Sequence, residues 1–507
     1  MSRGGSDASL RMITLQHAED ISWDTVCAIA YDDVKLSLSS ELLQKVSEGR
    51  RCFRTLIDAG APCYGVTTGL GRLVDVDLDD DAKQALARNI LVGRAAGVGP
   101  PLSKPVARAT LLIKLCNFLS ARDGVRPELV SFVVDRLNDD FVPWIPSLGH
   151  GMGGDAIAHT HCFQTFVGLG SVLGAHGQRC DAAAELERRG VQPFEPVDKE
   201  GLSLLSGIGT SLACAIDTHR RAERWLRLAI MTAAVSMEAM AAPRDSVDPR
   251  LQDVIPRPGV RRIIDCLAPF FSGSCIVPHK LQAAVSYRVI PQILGALWDA
   301  LDQFKHDIVV GLHAFSDNPV MVDATPDDGP ALLSFGGFHD QHVINQAEHV
   351  AIALAHAAVL GERRLHRLMD PVQTGLVAQL AARPGLDAGL VTTQKAAVDF
   401  SARMKMLAQP LSLMTSETSA GQEDYMALIV PVLERVNEQV DMATTVICYE
   451  LLACVRAIEL RELRPGHRVQ KIMAQVRTAV PAADCDRSPG PDVEALRALV
   501  DAGVFDI

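Results

Sequence analysis

The fold class is decided by one stretch of the sequence, LACAIDTHRRAERWLRLAIMTAAVSMEAMA at residues 212–241. It contains no proline and carries apolar residues on more than one helical face. The same pattern returns at 341–369 and 432–461, and at 282–311 with only Pro291 as an interruption. Long helices of this kind form the core of helical bundles and can extend into subunit contacts. A bundle within a single chain would show the same pattern.

The composition also favours helices. Aromatic residues make up only 5% of the 507 residues, while alanine and leucine are abundant. Apolar spacing predicts further helices in the first part of the chain, at 40–60, 81–96, 106–121 and 127–137. The sequence therefore predicts a mostly α-helical protein.

Charge and cysteine usage limit the partners and the compartment. With 49 basic and 61 acidic residues the formal net charge is −12, which argues against nucleic acid and against an anionic membrane as partners. The 12 cysteines form no CxxC pair, and the N-terminus shows no secretory signal. We therefore expect reduced thiols in a cytoplasmic protein. No apolar run reaches the roughly 18 residues of a membrane span.

Glycine, serine and proline divide the chain into four segments. Residues 1–13 are rich in glycine and serine and are expected to be disordered. Residues 14–211 are expected to form a loop-rich N-terminal active-site domain and 212–470 the central helical bundle. Residues 471–507 are expected to form a C-terminal tail with one short helix.

A glycine-rich stretch, SLGHGMGGDAIAH at residues 147–159, contains four glycines and two histidines. No lysine follows the glycines as a P-loop requires. Pro143 and Pro146 precede them, where a dinucleotide-binding turn needs a strand. An apolar helix follows directly, which does not fit an exposed linker. The phosphate-binding and linker interpretations are both disfavoured.

Seven short motifs follow one another along the chain. They are YGVTTGLG (64–71), NILVGRAAGVG (89–99), EGLSLLSGIGT (200–210), SDNPV (316–320), SFGGFH (334–339), GLVTTQ (389–394) and TSAGQEDY (418–425). In this order and spacing they resemble the histidine and phenylalanine ammonia-lyase family, the aromatic amino acid lyases, from about residue 39 to 464. The resemblance implies a long central helical bundle of the aromatic amino acid lyase or fumarase-like type. It also implies a homotetramer whose active sites combine loops of more than one subunit.

The glycine-rich stretch departs from the family at a decisive point. The resemblance implies an Ala-Ser-Gly tripeptide that cyclises and dehydrates into an electrophilic methylidene-imidazolone. The three positions before Asp155 are instead Met152, Gly153 and Gly154. The methylidene carbon arises by loss of water from the serine side chain, and Gly153 has neither the Cβ nor the oxygen. We therefore expect no methylidene-imidazolone, no other cofactor and no metal.

Other positions that differ from the family correspond to residues that surround the methylidene-imidazolone in the family. Ser206 stands where the family has an asparagine that supports the prosthetic group, and Arg94 where it has a histidine. Val285 replaces a tyrosine, although Tyr287 follows two residues later and is a candidate catalytic phenol. An additional arginine at position 94 suits a second anionic group on the substrate.

The residues that bind substrate and move protons in the family are retained. Tyr64 matches the catalytic base, and Arg288 matches the residue that binds the substrate carboxylate, a task suited to a guanidinium fork. A phenol acts as a base only where cations favour its ionised form, and Arg288 and Arg94 are the candidates. The other pocket-lining matches are Gln282, Asn318, Phe338, Gln422 and Glu423. The alternative is that the fold alone requires these residues.

Histidines and a cysteine leave further alternatives open. His150 has no family counterpart and is a candidate acid–base group. His159 and His161 are two residues apart, so a helix would point them to different sides, which disfavours a metal site. Cys63, beside Tyr64, is either a nucleophile or, as is commoner, an inert buried thiol.

Three functions remain after these observations. The preferred one is an enzyme of specialised metabolism that works without a methylidene-imidazolone, by tyrosine acid–base chemistry and arginine binding of a small carboxylate. Its reaction would be elimination, addition, isomerisation or condensation. The second is a non-catalytic pseudoenzyme or binding protein. The third, placed last because of Gly153, is a conventional aromatic amino acid or histidine ammonia-lyase.

Overall fold

The computed structural model describes residues 11–76 and 78–506, and helices dominate it. The helices are α1 (Trp23–Tyr31), α2 (Ser40–Asp58), α3 (Asp80–Asn89), α4 (Lys104–Leu119), α5 (Pro127–Asn138), α6 (Ala156–Phe163), α7 (Ala182–Arg188), α8 (Glu200–Leu205), α9 (Gly209–Met240), α10 (Pro258–Leu267), α11 (Val285–Arg288), α12 (Ile290–His313), α13 (Gln341–Leu368), α14 (Pro371–Thr374), α15 (Val391–Leu407), α16 (Ile429–Arg461), α17 (His467–Ala479) and α18 (Pro489–Asp501). The strands are β1 (Met12–Leu15), β2 (Lys35–Leu38), β3 (Val98–Pro101), β4 (Pro146–Leu148), β5 (Ser171–Leu173), β6 (Arg179–Asp181), β7 (Val320–Val322) and β8 (Ala331–Leu333).

The mostly α-helical prediction is confirmed, and local sequence signals explain where helices begin. The Ser39 hydroxyl accepts a hydrogen bond from the Leu42 N–H at 3.2 Å and caps α2. Ser103 caps α4 in the same way, and a proline occupies the first turn of that helix. The long helix α9 ends where Ala241 adopts a φ of 50°, two residues before Pro243.

Two predicted helices differ from the observed ones. The helix predicted at 81–96 ends at Asn89, because the Asn89 carbonyl accepts turn hydrogen bonds from Val92 and Gly93. The helix predicted at 282–311 is split into α11 and α12, and Pro291 lies in the first turn of α12. Proline fits a first turn, where no N–H donor is needed, and breaks a helix interior.

We expected residues 1–13 to be disordered, and the structure describes residues 11–13 of this segment. Residues 1–10 lie outside the described part of the chain. Residues 12 and 13, which we expected to be disordered, belong to β1, which pairs in parallel with β2 and places Met12 opposite Lys35. The reason is burial, since Leu15 at the end of β1 is fully enclosed.

The remaining strand pairs are antiparallel and short. β5 pairs with β6, and β7 pairs with β8 with Val320 opposite Leu333. β3 pairs with β4, with Val98 opposite Leu148. This last pair connects the segment after Arg94 to the segment before the glycine-rich stretch.

The chain forms two compact units. The first comprises Met1–Asp217, His306–Asn345 and Leu411–Leu433, and the second comprises Thr218–Lys305, Gln346–Pro410 and Glu434–Ile507. In the first, α4 is almost entirely buried among α1, α2 and α5. In the second, α17 packs on α18 and on the turn after α10. The predicted domains were continuous segments, whereas α9, α12, α13 and α16 each contribute residues to both units.

Two helical segments, Glu200–Met240 and Gln341–Leu368, are long and apolar enough to cross a membrane by length and composition. The sequence analysis expected no such run. Most of the apolar window in each segment is buried inside the protein, as in core helices of globular proteins.

Candidate active site

The turn that carries Tyr64 is fixed by hydrogen bonds within the first unit. The Cys63 carbonyl accepts from the Thr67 N–H at 2.9 Å, and the Thr67 hydroxyl accepts from the Cys63 N–H at 2.9 Å. The Gly71 N–H donates to the Tyr64 phenol oxygen at 2.8 Å. The phenol oxygen is therefore held in place by a backbone donor.

Gly65 keeps this turn compact. Its φ of 68° lies in the left-handed region, and a Cβ there would lie 2.6 Å from the Leu70 side chain and 2.9 Å from that of Leu202. The ring of Tyr64 packs beside Leu70 and Met152 on one apolar cluster. The buried members of the cluster are Ile90, Ala156, Leu202 and Leu205. The structure thus brings Tyr64 and Met152 onto the same apolar cluster, as the motif order predicts. Met152 is the first of the three positions, 152–154, that correspond to the family tripeptide and are called the triad below.

The triad positions form a turn between β4 and α6. Gly154 has a φ of 80°, and a Cβ there would lie 3.1 Å from both the Gly207 carbonyl oxygen and the Phe338 Cβ. A Cβ at Gly153 would meet only the Phe338 ring, at 3.4 Å. Phe338 therefore packs over Gly153 and Gly154. The space at Gly153 would admit a side chain, but this sequence provides none.

Asp155 anchors the end of this turn. Its carboxylate accepts hydrogen bonds from the Ser211 N–H at 2.7 Å and from the Ser211 hydroxyl at 2.5 Å. Its own N–H donates to the Gly207 carbonyl at 2.9 Å. Burial raises the pKa of the Asp155 carboxyl to about 6, although the bonds from Ser211 act in the opposite direction. These bonds tie the triad turn to the start of α9.

A lysine and a histidine fix the loop at Ser206. The Lys114 ammonium donates to the Ser206 carbonyl at 2.6 Å. His159 Nδ1 lies 3.1 Å from the same carbonyl, and His159 Nε2 accepts from the Thr210 N–H at 3.3 Å. Because a carbonyl only accepts and an amide N–H only donates, the proton of His159 resides on Nδ1. Burial, with Lys114 nearby, lowers the pKa of His159 to about 3, so the ring is neutral.

Arg94 lies within electrostatic range of Tyr64 and of Glu423. Burial lowers the pKa of the half-buried Arg94 guanidinium, while the Tyr64 and Glu423 side chains act in the opposite direction. Glu423 accepts a hydrogen bond from the Ser419 hydroxyl at 3.1 Å. The turn Ser419–Gly421 packs on the turn Gly71–Leu73, which brings the glutamate loop to the Tyr64 turn. Gln422, in the same loop, is exposed.

Asn318 connects two of the predicted site loops. Its side-chain oxygen accepts from the Phe335 N–H at 2.8 Å, and its own N–H donates to the Asp317 carboxylate at 2.6 Å. The loop that carries Phe338 is thereby held against the SDNP turn. The peptide bond between Asn318 and Pro319 is cis.

A buried charge cluster lies directly before Asn318 in the chain. The Lys199 ammonium contacts Asp317 at 2.6 Å and Asp123 at 3.1 Å, and all three side chains are fully enclosed. Burial alone would lower the pKa of Lys199, but the two carboxylates outweigh it and raise that pKa. Burial raises the pKa of Asp123, and Lys199 holds that of Asp317 below its usual range in spite of burial.

Gly201 allows α8 to approach α3, and we expect its replacement by alanine to destabilise the first unit. A Cβ at Gly201 would overlap the Ala87 carbonyl oxygen of α3. Overpacking of this kind costs about 1–3 kcal/mol of unfolding free energy. Gly93→Ala is the matched control, because the nearest atom to its added Cβ is the Asn89 carbonyl oxygen at 4.0 Å. Urea unfolding followed by circular dichroism measures both; equal midpoints would contradict the close approach.

The predicted alternatives at His150 and Cys63 have the following environments. His150 is buried, and its Nε2 donates to the Pro146 carbonyl at 2.7 Å. The Nδ1 atom of His150 has no hydrogen-bond partner among the described residues. Burial lowers the pKa of the His150 imidazole. Burial raises the pKa of Cys63 to about 11, which favours the inert thiol over the nucleophile. His161 Nε2 accepts from the Gly97 N–H at 2.9 Å, a structural bond.

Residues 11–76 and 78–506 contain no group of three or more histidine, cysteine, aspartate or glutamate side chains that could hold a metal ion.

Three of the predicted residues belong to the second unit. Gln282 and Arg288 are exposed there. Tyr287 is buried, and its phenol donates to the Arg364 carbonyl at 3.3 Å and lies 3.4 Å from the Ser236 hydroxyl. Burial raises the pKa of Tyr287 well above its usual range. The catalytic role of Tyr287 stays a prediction, and its environment is that of a structural core residue.

Three buried residues that hold the loops of the site in place were not predicted from the sequence. Lys114, Lys199 and Ser211 are fully buried, and each holds a loop that carries a predicted site residue or the triad. A signal was present for the first, because Lys114 interrupts the apolar run TLLIKLCNFL at residues 110–119. A lone lysine in such a run indicates a buried cation with partners.

Comparisons with known proteins agree with these motifs. The sequence profile described as "Aromatic amino acid lyase" matches residues 21–478. The chain is 32% identical over 487 residues to a histidine ammonia-lyase of Aromatoleum aromaticum, covering 94% of this chain and 91% of that protein. It is 30% identical to the histidine ammonia-lyase of Myxococcus xanthus, covering 96% of both.

Solved structures show the same fold at lower identity. Ergothionase of Treponema denticola superposes with a TM-score of 0.93 at 22% identity, covering 97% of this chain and 99% of that one. Histidine ammonia-lyase of Trypanosoma cruzi superposes with a TM-score of 0.86 at 24% identity, covering 97% and 94%. The predicted fold type is confirmed by these neighbours.

The curated relatives overturn one expectation from the sequence. We placed the conventional ammonia-lyase last among three functions, behind a remodelled enzyme of open reaction type and a non-catalytic protein. That order is wrong, since proteins about 30% identical over nearly the whole chain are named histidine ammonia-lyase. With the profile match, the motif order and the site geometry in agreement, the chain belongs to the aromatic amino acid lyase family.

Proposed function

We propose that this chain catalyses the conventional reaction of an amino acid ammonia-lyase, the elimination of ammonia from histidine or a similar α-amino acid. The curated histidine ammonia-lyases of Aromatoleum and Myxococcus support this substrate class. The observation that carries the proposal is the placement of Tyr64. Its phenol oxygen is held by the Gly71 N–H, Arg94 lies within electrostatic range of it, and its ring packs on the same apolar cluster as Met152.

The elimination needs a base at the β-carbon of the substrate. The base takes the β-proton, a double bond forms between the α- and β-carbons, and the C–N bond breaks with its electrons on nitrogen. The substrate's ammonium group then leaves as ammonia, and atoms and charge balance. We assign the base to Tyr64, because its phenol oxygen is held in place by the Gly71 N–H at 2.8 Å and Arg94 lies within electrostatic range of it.

The remaining predicted residues are proposed to bind the substrate. In the first unit they are Arg94, Ser206, Asn318, Phe338, Gln422 and Glu423. Arg288 is proposed to bind the substrate carboxylate, for which a guanidinium fork is suited, and Gln282 to line the pocket. Both proposals rest on the match to the family motif, whose active sites combine loops of more than one subunit. The enzyme is further proposed to be a cytoplasmic homotetramer that binds a small carboxylate and neither nucleic acid nor membrane.

We infer separately that residues 152–154 remain an unmodified peptide. The family's prosthetic group needs a serine whose side chain loses water, and Gly153 has no side chain from which a methylidene carbon can form. The residues present therefore do not fit a methylidene-imidazolone. No step of the elimination proposed above is routed through that group.

Intact-mass spectrometry tests this inference on the purified protein. We expect the mass of the encoded chain, because neither cyclisation nor dehydration of residues 152–154 yields a stable methylidene group. Absence of the family's chromophore from the ultraviolet spectrum is the matching spectroscopic result. A mass lower by two water molecules would contradict the inference and would show that another serine supplies the group.

The function is tested by incubating the purified enzyme with histidine, phenylalanine, tyrosine and tryptophan in separate reactions. We expect at least one of them to yield ammonia together with an absorbing α,β-unsaturated acid. A heat-inactivated sample controls for contaminating ammonia. If all four amino acids are recovered unchanged at high enzyme concentration, the proposed reaction is wrong.

A further inference from the structure

A cavity lies wholly within the second unit, and no candidate active-site residue lines it. Its walls come from α9, α16, α18 and the residues that follow α18, and its volume is about 650 Å³. Cavities of this size hold small organic molecules in many proteins. None of its lining residues has a role in the reaction proposed above.

The lining of this cavity is rich in arginine. Four arginines fall within eight residues of α9, and α18 adds a fifth: Arg220, Arg221, Arg224, Arg227 and Arg497. Four carboxylates also line it, namely Glu223, Asp441, Asp501 and Asp506. The formal charge of the lining is therefore +1, on a chain whose net charge is −12. The cavity attracts anions, in contrast to the protein as a whole.

The ion pairs in this cavity are exchangeable. Arg221 and Arg497 share Asp441, at 3.0 and 2.8 Å, and Arg224 pairs with Asp506 at 3.0 Å. The side chains of Arg224 and Asp506 are 45% and 58% exposed. Exposed pairs of this kind contribute little stability, so an anion with better geometry can replace one carboxylate.

Apolar side chains complete the lining. Leu228, Val440 and Phe505 contact the cavity, and the ring of Trp225 lies in the same wall with its indole N–H enclosed by protein.

We propose that this cavity binds a small organic anion with two or more carboxylate or phosphate groups. Guanidinium forks of Arg221 and Arg224 bind its anionic groups, and the apolar wall contacts its carbon skeleton. This site is separate from the amino acid site in its lining residues. The proposal does not rest on the lyase reaction.

Isothermal titration calorimetry with citrate as the probe, at fixed ionic strength, tests the proposal on the full-length protein. We expect saturable binding of one citrate per chain, with inorganic phosphate binding more weakly. The double variant Arg221→Gln/Arg224→Gln is expected to weaken citrate binding about tenfold or more, since each lost guanidinium removes a charged hydrogen bond.

Arg262→Gln is the matched control. This arginine lies in the same unit, pairs with Asp302 and is absent from the cavity lining. Its citrate affinity is expected to equal that of the unchanged protein. The proposal is overturned if citrate gives no saturable heat, or if the double variant binds citrate as tightly as Arg262→Gln does.

Discussion

Replacing Tyr64 with phenylalanine is expected to lower kcat by a factor of about 10²–10⁴, the contribution of a positioned proton-transfer group. The ring can stay on its apolar cluster with Met152 and Leu70, so the fold remains intact. What is lost is the phenol oxygen that the Gly71 N–H holds at 2.8 Å. The measurement is the rate of ammonia release at saturating substrate, with circular dichroism to show an unchanged fold.

Tyr31→Phe is the control for this variant. It removes the same atom from another tyrosine of the first unit, whose phenol donates to Asp217 at 2.9 Å. We expect kcat to remain close to that of the unchanged enzyme. A Tyr64→Phe enzyme that keeps full turnover would show that the base lies elsewhere, and the assignment of Tyr64 would be abandoned.

Replacing Lys199 with methionine is expected to lower the free energy of unfolding by about 3–5 kcal/mol, the cost of breaking a buried ion pair from one side. Methionine is nearly as long but carries no charge, so Asp123 and Asp317 would remain buried without their cation. Lys104→Met is the control. Lys104 pairs with Asp140 at 2.7 Å, but the two side chains are 45% and 46% exposed. Loss of that pair is expected to cost about 1 kcal/mol or less.

Urea unfolding of the two lysine variants measures the difference. A triple variant that combines Lys199→Met with Asp123→Asn and Asp317→Asn is expected to recover part of the lost stability, because the two buried carboxylates are then neutral and only Lys114 keeps a buried charge nearby. Equal unfolding midpoints for Lys199→Met and Lys104→Met would contradict the structural role of the cluster.

The helices could be predicted from the sequence because their signals are local. Ser39 and Ser103 mark helix starts, and the proline-free stretch 212–241 corresponds to α9 within three residues at either end. The end of α3 at Asn89 could not be predicted, since its turn hydrogen bonds depend on the loop that leads to Arg94. β1 depends on pairing with β2, which is a contact between distant residues.

The candidate site was predictable only in part. Motif order placed Tyr64, the triad and Phe338 together, and the structure shows all three within the first unit. The supporting contacts of Lys114 and Ser211 could not be read from the sequence, because they join loops far apart in the chain. The sequence shows that Gly153 stands where the family has a serine. This difference bears on whether the electrophile forms and not on which reaction is catalysed. Treating it as evidence against an ammonia-lyase reaction led to the wrong order of functions.

We propose that this chain eliminates ammonia from an amino acid, and ¹⁵N-labelled substrates show that reaction directly. Histidine labelled with ¹⁵N at the α-amino group, together with the corresponding phenylalanine, is incubated with the enzyme and followed by nuclear magnetic resonance. The account predicts that labelled ammonium and the vinylic protons of the unsaturated acid appear in equal amounts and at the same rate. Label that stays bonded to carbon in both substrates would contradict the account.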